Sequence, residues 1–258
     1  MDPMLNTALR AVRRAGAIIS RASLRIERLY IDKKGPKNYV TEIDRQAEQV
    51  IVEILQQAYP DHDILAEEGG FIAAQDSPAD YQWVIDPLDG TTNFIHGYPH
   101  YAISIALLHR QRLAHALIFD PARNELFHAS RGEGAFLNDR RLRVSKQLRY
   151  PDALLGAHVL GSGGALTEQS PFVDMLTHCA AVRRTGSVVL DLAYVACGRL
   201  DGFVGVHLHP WDMAAGALMV LEAGGLVSGF DGEQSWLDSG EILAASPKVF
   251  GQMLAYLQ

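Results

Sequence analysis

Two carboxylates three residues apart, in the string Asp86-Pro87-Leu88-Asp89-Gly90-Thr91-Thr92-Asn93-Phe94, are the residues of this chain best placed to do chemistry. Trp83-Val84-Ile85, just before them, reads as the buried end of a strand. Proline lacks an N–H and restricts the residue before it, so the strand is expected to stop at Asp86-Pro87. Asp89-Gly90 then forms a tight turn, and Thr91-Thr92-Asn93 offers capping side chains to a following helical turn. Paired carboxylates beside unpaired backbone N–H groups suit a hard cation held next to an anion. Asp-Pro and Asp-Gly are also ordinary turn punctuation, so acids elsewhere in the chain must decide between the two readings.

Three such acids stand out. Glu67 follows the short strand-like run Ile64-Leu65-Ala66 and ends it much as Asp86 ends the next strand. Asp44 lies three residues after Thr41 at the start of a helix, where it either completes a capping box or serves the site. Asp212 follows His209-Pro210-Trp211 and opens an apolar helix, where it is either an N-cap or a ligand. His209 itself reads as packing.

Taken together, Glu67-Glu68, Asp86 to Thr91, Trp211-Asp212 and Glu222-Ala223-Gly224-Gly225 resemble the ordered motifs of the inositol monophosphatase family, the lithium-sensitive, magnesium-dependent sugar-phosphate phosphatases. The resemblance covers nearly the whole chain. It is similar throughout to the bacterial extragenic-suppressor type, including Arg183-Arg184-Thr185-Gly186-Ser187 and Leu190-Asp191-Leu192-Ala193-Tyr194. It implies a layered αβαβα sandwich and hydrolysis of inositol 1-phosphate and related phosphomonoesters by a metal-activated water. Glu67, Asp86 and the backbone carbonyl of Leu88 would hold a first Mg²⁺. Asp86, Asp89 and Asp212 would hold a second, and Glu67 would touch a third through water. Thr91 with Asp44 would orient the attacking water. Asp89, Gly90, Thr91 and Asp212 would face the substrate, with Gly186, Ser187 and Val188 as its outer loop. The resemblance also implies a homodimer and, as an alternative role, a partner of RNA polymerase and its antitermination factors with catalysis dispensable. A further alternative keeps the fold and acts on fructose 1,6-bisphosphate or 3′-phosphoadenosine nucleotides.

The donor set makes chemical sense. Oxygen ligands without His or Cys favour magnesium over zinc, and clustered carboxylates repel unless cations neutralise them. Four acids and a phosphate dianion balance three Mg²⁺, so two to three ions are expected, the last one binding with substrate. One position departs from the family. Seven residues before Asp212, where a glutamate that bonds inositol hydroxyls is common, this chain has Gly205. A broader phosphomonoesterase than a strict inositol enzyme follows.

Composition sets the frame for these elements. The 258 residues are 48% hydrophobic and 21% charged, which is the balance of a globular protein that buries a full core. A net charge of −7 argues against nonspecific nucleic-acid binding through a broad basic face. Cys179 and Cys197 read as reduced packing residues, and no secretory leader or membrane-spanning run is visible, so a cytoplasmic protein is expected.

Helices are expected from Asp2-Pro3 and over 41–59, with the arginines of the first (Arg10, Arg13, Arg14, Arg21) on its solvated face. Residues 33–38 read as a polar loop, and 101–144 as antiparallel strands. From about Lys146 strands and helices alternate, with helices over 168–182, 187–196 and 211–223. Gly161-Ser162-Gly163-Gly164 lacks the third glycine of a dinucleotide fingerprint and the lysine of a phosphate loop. An N-terminal α+β half (1–145) carrying most ligands and a C-terminal α/β half (146–258) carrying Asp212 are expected to form one structural unit.

Overall fold

The computed structural model describes residues 2–28, 31–35, 38–74, 78–159 and 171–257. Helices α1 (Pro3–Ala22) and α2 (Glu42–Ala58) flank a two-stranded antiparallel hairpin, β1 (Ile31–Gly35) and β2 (Asn38–Thr41). Then come β3 (Asp63–Ala66), β4 (Gly70–Ile72), β5 (Tyr81–Asp89) and the short helix α3 (Thr91–Ile95). The meander β6 (Ala102–His109), β7 (Arg112–Asp120), β8 (Glu125–Ser130), β9 (Gly134–Leu137) and β10 (Arg140–Arg141) follows. The remainder is β11 (Leu154–His158), α4 (Pro171–Thr177), β12 (Ala181–Arg183), α5 (Val188–Ala196), β13 (Gly202–Gly205), α6 (Pro210–Glu222), β14 (Leu226–Ser228), α7 (Trp236–Ser239), β15 (Ile242–Ala245) and α8 (Pro247–Leu257).

These strands make an eight-stranded sheet in the order β10-β9-β8-β7-β6-β5-β3-β4 and a five-stranded sheet in the order β12-β11-β13-β15-β14. The large sheet is antiparallel except for β3 beside β5; the small one is mixed, with β12, β11 and β13 parallel. The fold is the expected αβαβα sandwich. Side chains alternate along β5 and so place its neighbours. Trp83 and Ile85 pack with Leu5, Val12, Ile51 and Leu55 of α1 and α2, whereas Val84 packs with Leu192 and Leu218 of α5 and α6. A strand buried on both faces needs a continuous apolar run, which is why Trp83-Val84-Ile85 does not alternate. On the far face of the small sheet, Met175 of α4 and Val249 and Met253 of α8 cover Leu155, Val204 and Leu243.

The central helix pair is unusually close. A Cβ on Gly216 of α6 would stand 2.4 Å from Leu192 Cβ of α5, and overpacking of this kind typically costs about 1–3 kcal/mol. Glycine at this position therefore lets the middle layer fit between the two sheets.

Most expected elements are present, and four expectations need correction. First, β5 does not stop at Asp86-Pro87 but runs to Asp89. Its partners step from Ser104 to Ala102 while β5 itself advances from Asp86 to Asp89, so one extra residue is accommodated as a bulge. Bulges are where a proline can sit inside a sheet. Second, Lys33 to Gly35 and Asn38, expected in a loop, are strand, held by backbone pairing between β1 and β2. Third, of the helix expected over 168–182, whose first three positions lie outside the described residues, the structure shows α4 alone, and Ala181–Arg183 is a three-residue edge strand. Fourth, the Thr91-Thr92-Asn93 side chains do not cap α3; its N-cap is Gly90 at φ 90°. Arg10, Arg13, Arg14 and Arg21 are exposed as expected, and Cys179 and Cys197 are free and half-buried. Gly161-Ser162-Gly163-Gly164 lies outside the described residues. Among those residues no helix is long and apolar enough to cross a membrane.

Candidate active site

The bulge in β5 is what brings its two acids together. Residues three apart on a regular strand face opposite ways, and one extra residue restores them to the same side. Asp86 is 1% exposed, and its Oδ1 accepts the Leu88 N–H at 3.0 Å, which turns the chain through Pro87. Asp89 is half-buried. Its Oδ2 accepts the Ser187 hydroxyl at 2.6 Å and the Val189 N–H at 2.8 Å, both from the start of α5. Glu67 arrives from the end of β3, whose parallel pairing with β5 sets Ala66 opposite Ile85. Its N–H bonds to the Ile85 carbonyl and its side chain hydrogen-bonds Asp86.

Asp212 comes from the far side of the middle layer. It is not the N-cap of α6 but the third residue of the first turn, with His209 as N-cap and the His209 N–H donating to Asp212 Oδ2 at 2.7 Å. The His209 ring stacks on Trp211 at 4.7 Å, the packing role expected of it.

Electrostatics tie the four acids into one group. Burial, then the charges of Glu67, Asp89 and Asp212, push the Asp86 carboxyl well above its ordinary range. Burial raises Asp89 to about 6, held back by the Ser187 and Val189 bonds. Burial and then Asp89 raise Asp212 to about 8. The charged groups acting most strongly on Asp86 are all acids, and oxygen-only donors in such a group match the preference of magnesium. The donor set therefore fits a hard divalent cation. Among the described residues, no three acid, His or Cys side chains are gathered so that they could hold an ion as they stand; Asp89 and Asp212 each turn an oxygen toward a backbone or hydroxyl donor instead.

Asp44 combines both of its expected roles. Its Oδ2 accepts the Thr41 N–H at 2.8 Å and the Thr41 hydroxyl, completing a capping box, while its Oδ1 faces Thr91 Oγ1 at 2.9 Å. Thr91 Oγ1 is also 3.0 Å from the Leu88 carbonyl. A hydroxyl has one proton, and an ionised carboxylate is the stronger acceptor. When Thr91 donates to Asp44, the Leu88 carbonyl is left available to a cation. Burial raises the Asp44 pKa against the pull of these hydrogen bonds.

Gly90 and Thr91 open α3, whose first N–H groups have no partner within the helix. A side chain at Gly90 would meet the His100 carbonyl at 3.0 Å, so glycine lets this turn lie against the strand that follows. Gly186 sits at φ 85° against the Asn93 amide, and Ser187 caps α5. Val188 is buried at the first position of that helix.

Sequence reasoning gave Asn93 a capping role and assigned none to Thr185 or Asp191, and these are the groups that hold this loop. Asn93 Nδ2 donates to the carbonyls of His100 and Thr185 at 2.7 and 2.9 Å. Thr185 Oγ1 donates to Asp191 at 2.9 Å, and Asp191 is 2% exposed with its pKa raised by burial to about 8. A lone acid inside the apolar run Val188–Ala196 was the available signal.

Known proteins resemble this chain along its whole length. The sequence profile of the Inositol monophosphatase family matches residues 1–258. The chain is 51% identical over 262 aligned residues to the Nus factor SuhB of Pseudomonas aeruginosa, covering 100% of this chain and 97% of that protein. It superposes on the extragenic suppressor protein SuhB of Bartonella henselae with a TM-score of 0.95 at 38% identity, covering 100% of this chain and 99% of that one. It also matches the inositol monophosphatase of Anabaena (Nostoc) sp. PCC 7120, with a TM-score of 0.84 at 34% identity over 98% and 94% of the two chains.

Proposed function

This chain belongs to the inositol monophosphatase family, and we propose that it is a partner of the transcription antitermination machinery that keeps a magnesium-dependent phosphomonoesterase centre. The regulatory half rests on the 51% identity, along the whole chain, to a protein named Nus factor SuhB. That finding favours the antitermination role over the plain metabolic phosphatase that the motifs first suggest. The acidic net charge of −7 suits contacts with proteins better than a broad electrostatic grip on RNA.

The hydrolytic half rests on the convergence of Glu67, Asp86, Asp89 and Asp212, where burial and the neighbouring acids raise the carboxyls of Asp86, Asp89 and Asp212. These four and the Leu88 carbonyl are the groups we assign to two or three Mg²⁺. When bound, Mg²⁺ lowers the pKa of water, offsets the charge of the phosphate and stabilises a leaving alkoxide. The chain's own residues do the rest. Thr91 Oγ1, donating to Asp44, keeps its lone pairs for a proton of the attacking water and so sets that water's orientation. Asp44, its affinity for a proton raised by burial, disperses the charge that collects on Thr91. The N–H groups of Gly90 and Thr91 bond the phosphate oxygens. Since α3 has only five residues, they act as local donors rather than through a long helix dipole. Gly186, Ser187 and Val188 line the alcohol side, and Ser187 also fixes the Asp89 carboxylate. Two copies of the chain per particle are the expected assembly.

The test joins both halves. Purified protein with Mg²⁺ should release phosphate from glycerol 2-phosphate and inositol 1-phosphate at comparable efficiency, be inhibited by Li⁺ and stop on chelation. The same preparation, tagged in its host, should co-purify RNA polymerase or its antitermination factors. Absence of co-purification with hydrolysis intact would return the protein to a purely metabolic role; hydrolysis by a metal-free sample would discard the metal assignment.

A further inference from the structure

The first turn of α5 holds the Asp89 carboxylate in one orientation. Ser187 Oγ accepts the Leu190 N–H at 3.2 Å, and its single proton goes to Asp89 Oδ2 at 2.6 Å. The Val189 N–H reaches the same oxygen at 2.8 Å. Two donors on one oxygen stop a carboxylate from turning about its Cβ–Cγ bond. Both donors belong to one turn of backbone, so Asp89 faces wherever that turn puts them.

A second set of bonds fixes the turn itself. Gly186, at φ 85°, doubles the chain back, and the Ser187 N–H then donates to Thr185 Oγ1 at 3.3 Å. Thr185 Oγ1 stands 2.9 Å from Asp191 Oδ1 and 3.4 Å from the Ser187 carbonyl. A hydroxyl has one proton, which goes to the nearer acceptor on Asp191 and leaves a lone pair for the Ser187 N–H. Asp191 is thus joined to Asp89 through Thr185 and Ser187.

Stability alone does not explain an acid at position 191. Asp191 is the one charged residue of Val188–Ala196 and is 2% exposed. A Cβ on Gly156 of β11 would stand 3.3 Å from its Cγ, so the neighbouring strand closes over it. Among the described residues its carboxyl has one hydrogen-bond partner, the Thr185 hydroxyl. A buried carboxyl so sparsely bonded is less favourable than an apolar side chain of the same volume. Its benefit lies in what the bond orients.

We infer that Asp191 is a positioning residue: acting through Thr185 and Ser187, it fixes the direction of the Asp89 carboxylate and so the affinity of the cation site to which Asp89 belongs. This inference rests on the metal assignment and the phosphomonoesterase reading above, and adds to them a group that touches neither cation nor substrate. It requires a hydrogen-bond acceptor at position 191, not a charge.

The test measures Mn²⁺ dissociation constants by electron paramagnetic resonance, counting only the sites that D89N abolishes. Melting temperature and hydrolysis of glycerol 2-phosphate are read on the same preparations. T185V/D191L replaces both partners by apolar groups of similar shape, a change that can be neutral or stabilising. The paired variant should melt no lower than the parent, yet bind Mn²⁺ about tenfold or more weakly, as replacing the groups that orient metal ligands does elsewhere. Its loss of hydrolysis should shrink as Mg²⁺ is raised. D191N, whose carbonyl oxygen still accepts from Thr185, should keep the Mn²⁺ constant within about twofold of the parent. If the paired variant does not fold, T185V alone carries the same expectation for Mn²⁺. Parent-like Mn²⁺ binding without the Thr185–Asp191 bond, or an equal loss in D191N, overturns the inference, while hydrolysis by the parent upholds the phosphatase reading. The expected Mn²⁺ pattern in a protein that hydrolyses no ester keeps the inference and rejects the phosphatase reading. A parent that binds no Mn²⁺ through Asp89 rejects both.

Discussion

Asp86→Asn should lower kcat/KM for any phosphomonoester by roughly a thousandfold or more, since preorganised charge of this kind is worth several kcal/mol in the transition state. The fold should survive. The Asn carbonyl oxygen still accepts the Leu88 N–H that Asp86 Oδ1 accepts at 3.0 Å, and the substitution removes the carboxyl most opposed by its neighbours. Without metal, the variant should therefore unfold at a temperature no lower than the parent. Association with the antitermination machinery, if it uses the outer surface, should be unchanged. Asp86 is 1% exposed and cannot contribute a contact of its own. Phosphate release and co-purification measured on the same variant check both statements. Loss of the two together would mean that partner binding depends on an occupied centre.

The second large effect is on stability. Asp89 and Asp212 rise from 3.8 to about 6 and about 8, and Asp191 also rises to about 8. A carboxyl whose pKa is higher folded than unfolded favours the native state fully below the unfolded value. That contribution is lost as pH climbs through the folded value. In a metal-stripped sample the loss falls between about pH 4 and about pH 8. The melting temperature at pH 8 should then lie below that at pH 5.5 by several degrees, on the order of 5 °C for a chain of this size. Adding Mg²⁺ should shrink the difference, because a bound cation favours the ionised forms. The part due to Asp191, which faces Thr185 and the interior, should persist. Differential scanning calorimetry at the two pH values, with chelator and with Mg²⁺, measures it. A chelated protein more stable at pH 8 would show that these acids do not govern the dependence.

How much of this was legible beforehand depends on what each residue's signal rests on. Helices α1 and α2 were plain because their apolar residues recur at helical spacing, and the meander was plain because its turns punctuate it. The acids were found by their motif strings, yet their geometry was not. Nothing in Asp86-Pro87-Leu88-Asp89 marks a bulge as opposed to a strand end, since register is set by the neighbouring strand β6. For Asp212 the N-cap alternative stayed open beside the ligand role because a residue at the head of an apolar helix looks alike at the cap and at the third position. The strand Ala181–Arg183 was hidden inside a helical expectation. Three residues carry no period, and what holds them is the edge of β11, distant in sequence. The hairpin β1–β2 was missed because what pairs its strands is the backbone, which side-chain polarity does not report. Thr185, Asp191 and Asn93 were in view, but their role is to brace one another, which only the folded contacts reveal.

Location of bound ions tests the central claim most directly. Crystals of the protein soaked in Mn²⁺ as a heavier substitute for Mg²⁺ would show ion positions by anomalous scattering. The account predicts at least one peak within roughly 2.5 Å of carboxylate oxygens from both Asp86 and Asp89, and one ligated by Asp212. Peaks confined to other surfaces, with Asp86, Asp89 and Asp212 sharing no ion, would contradict it.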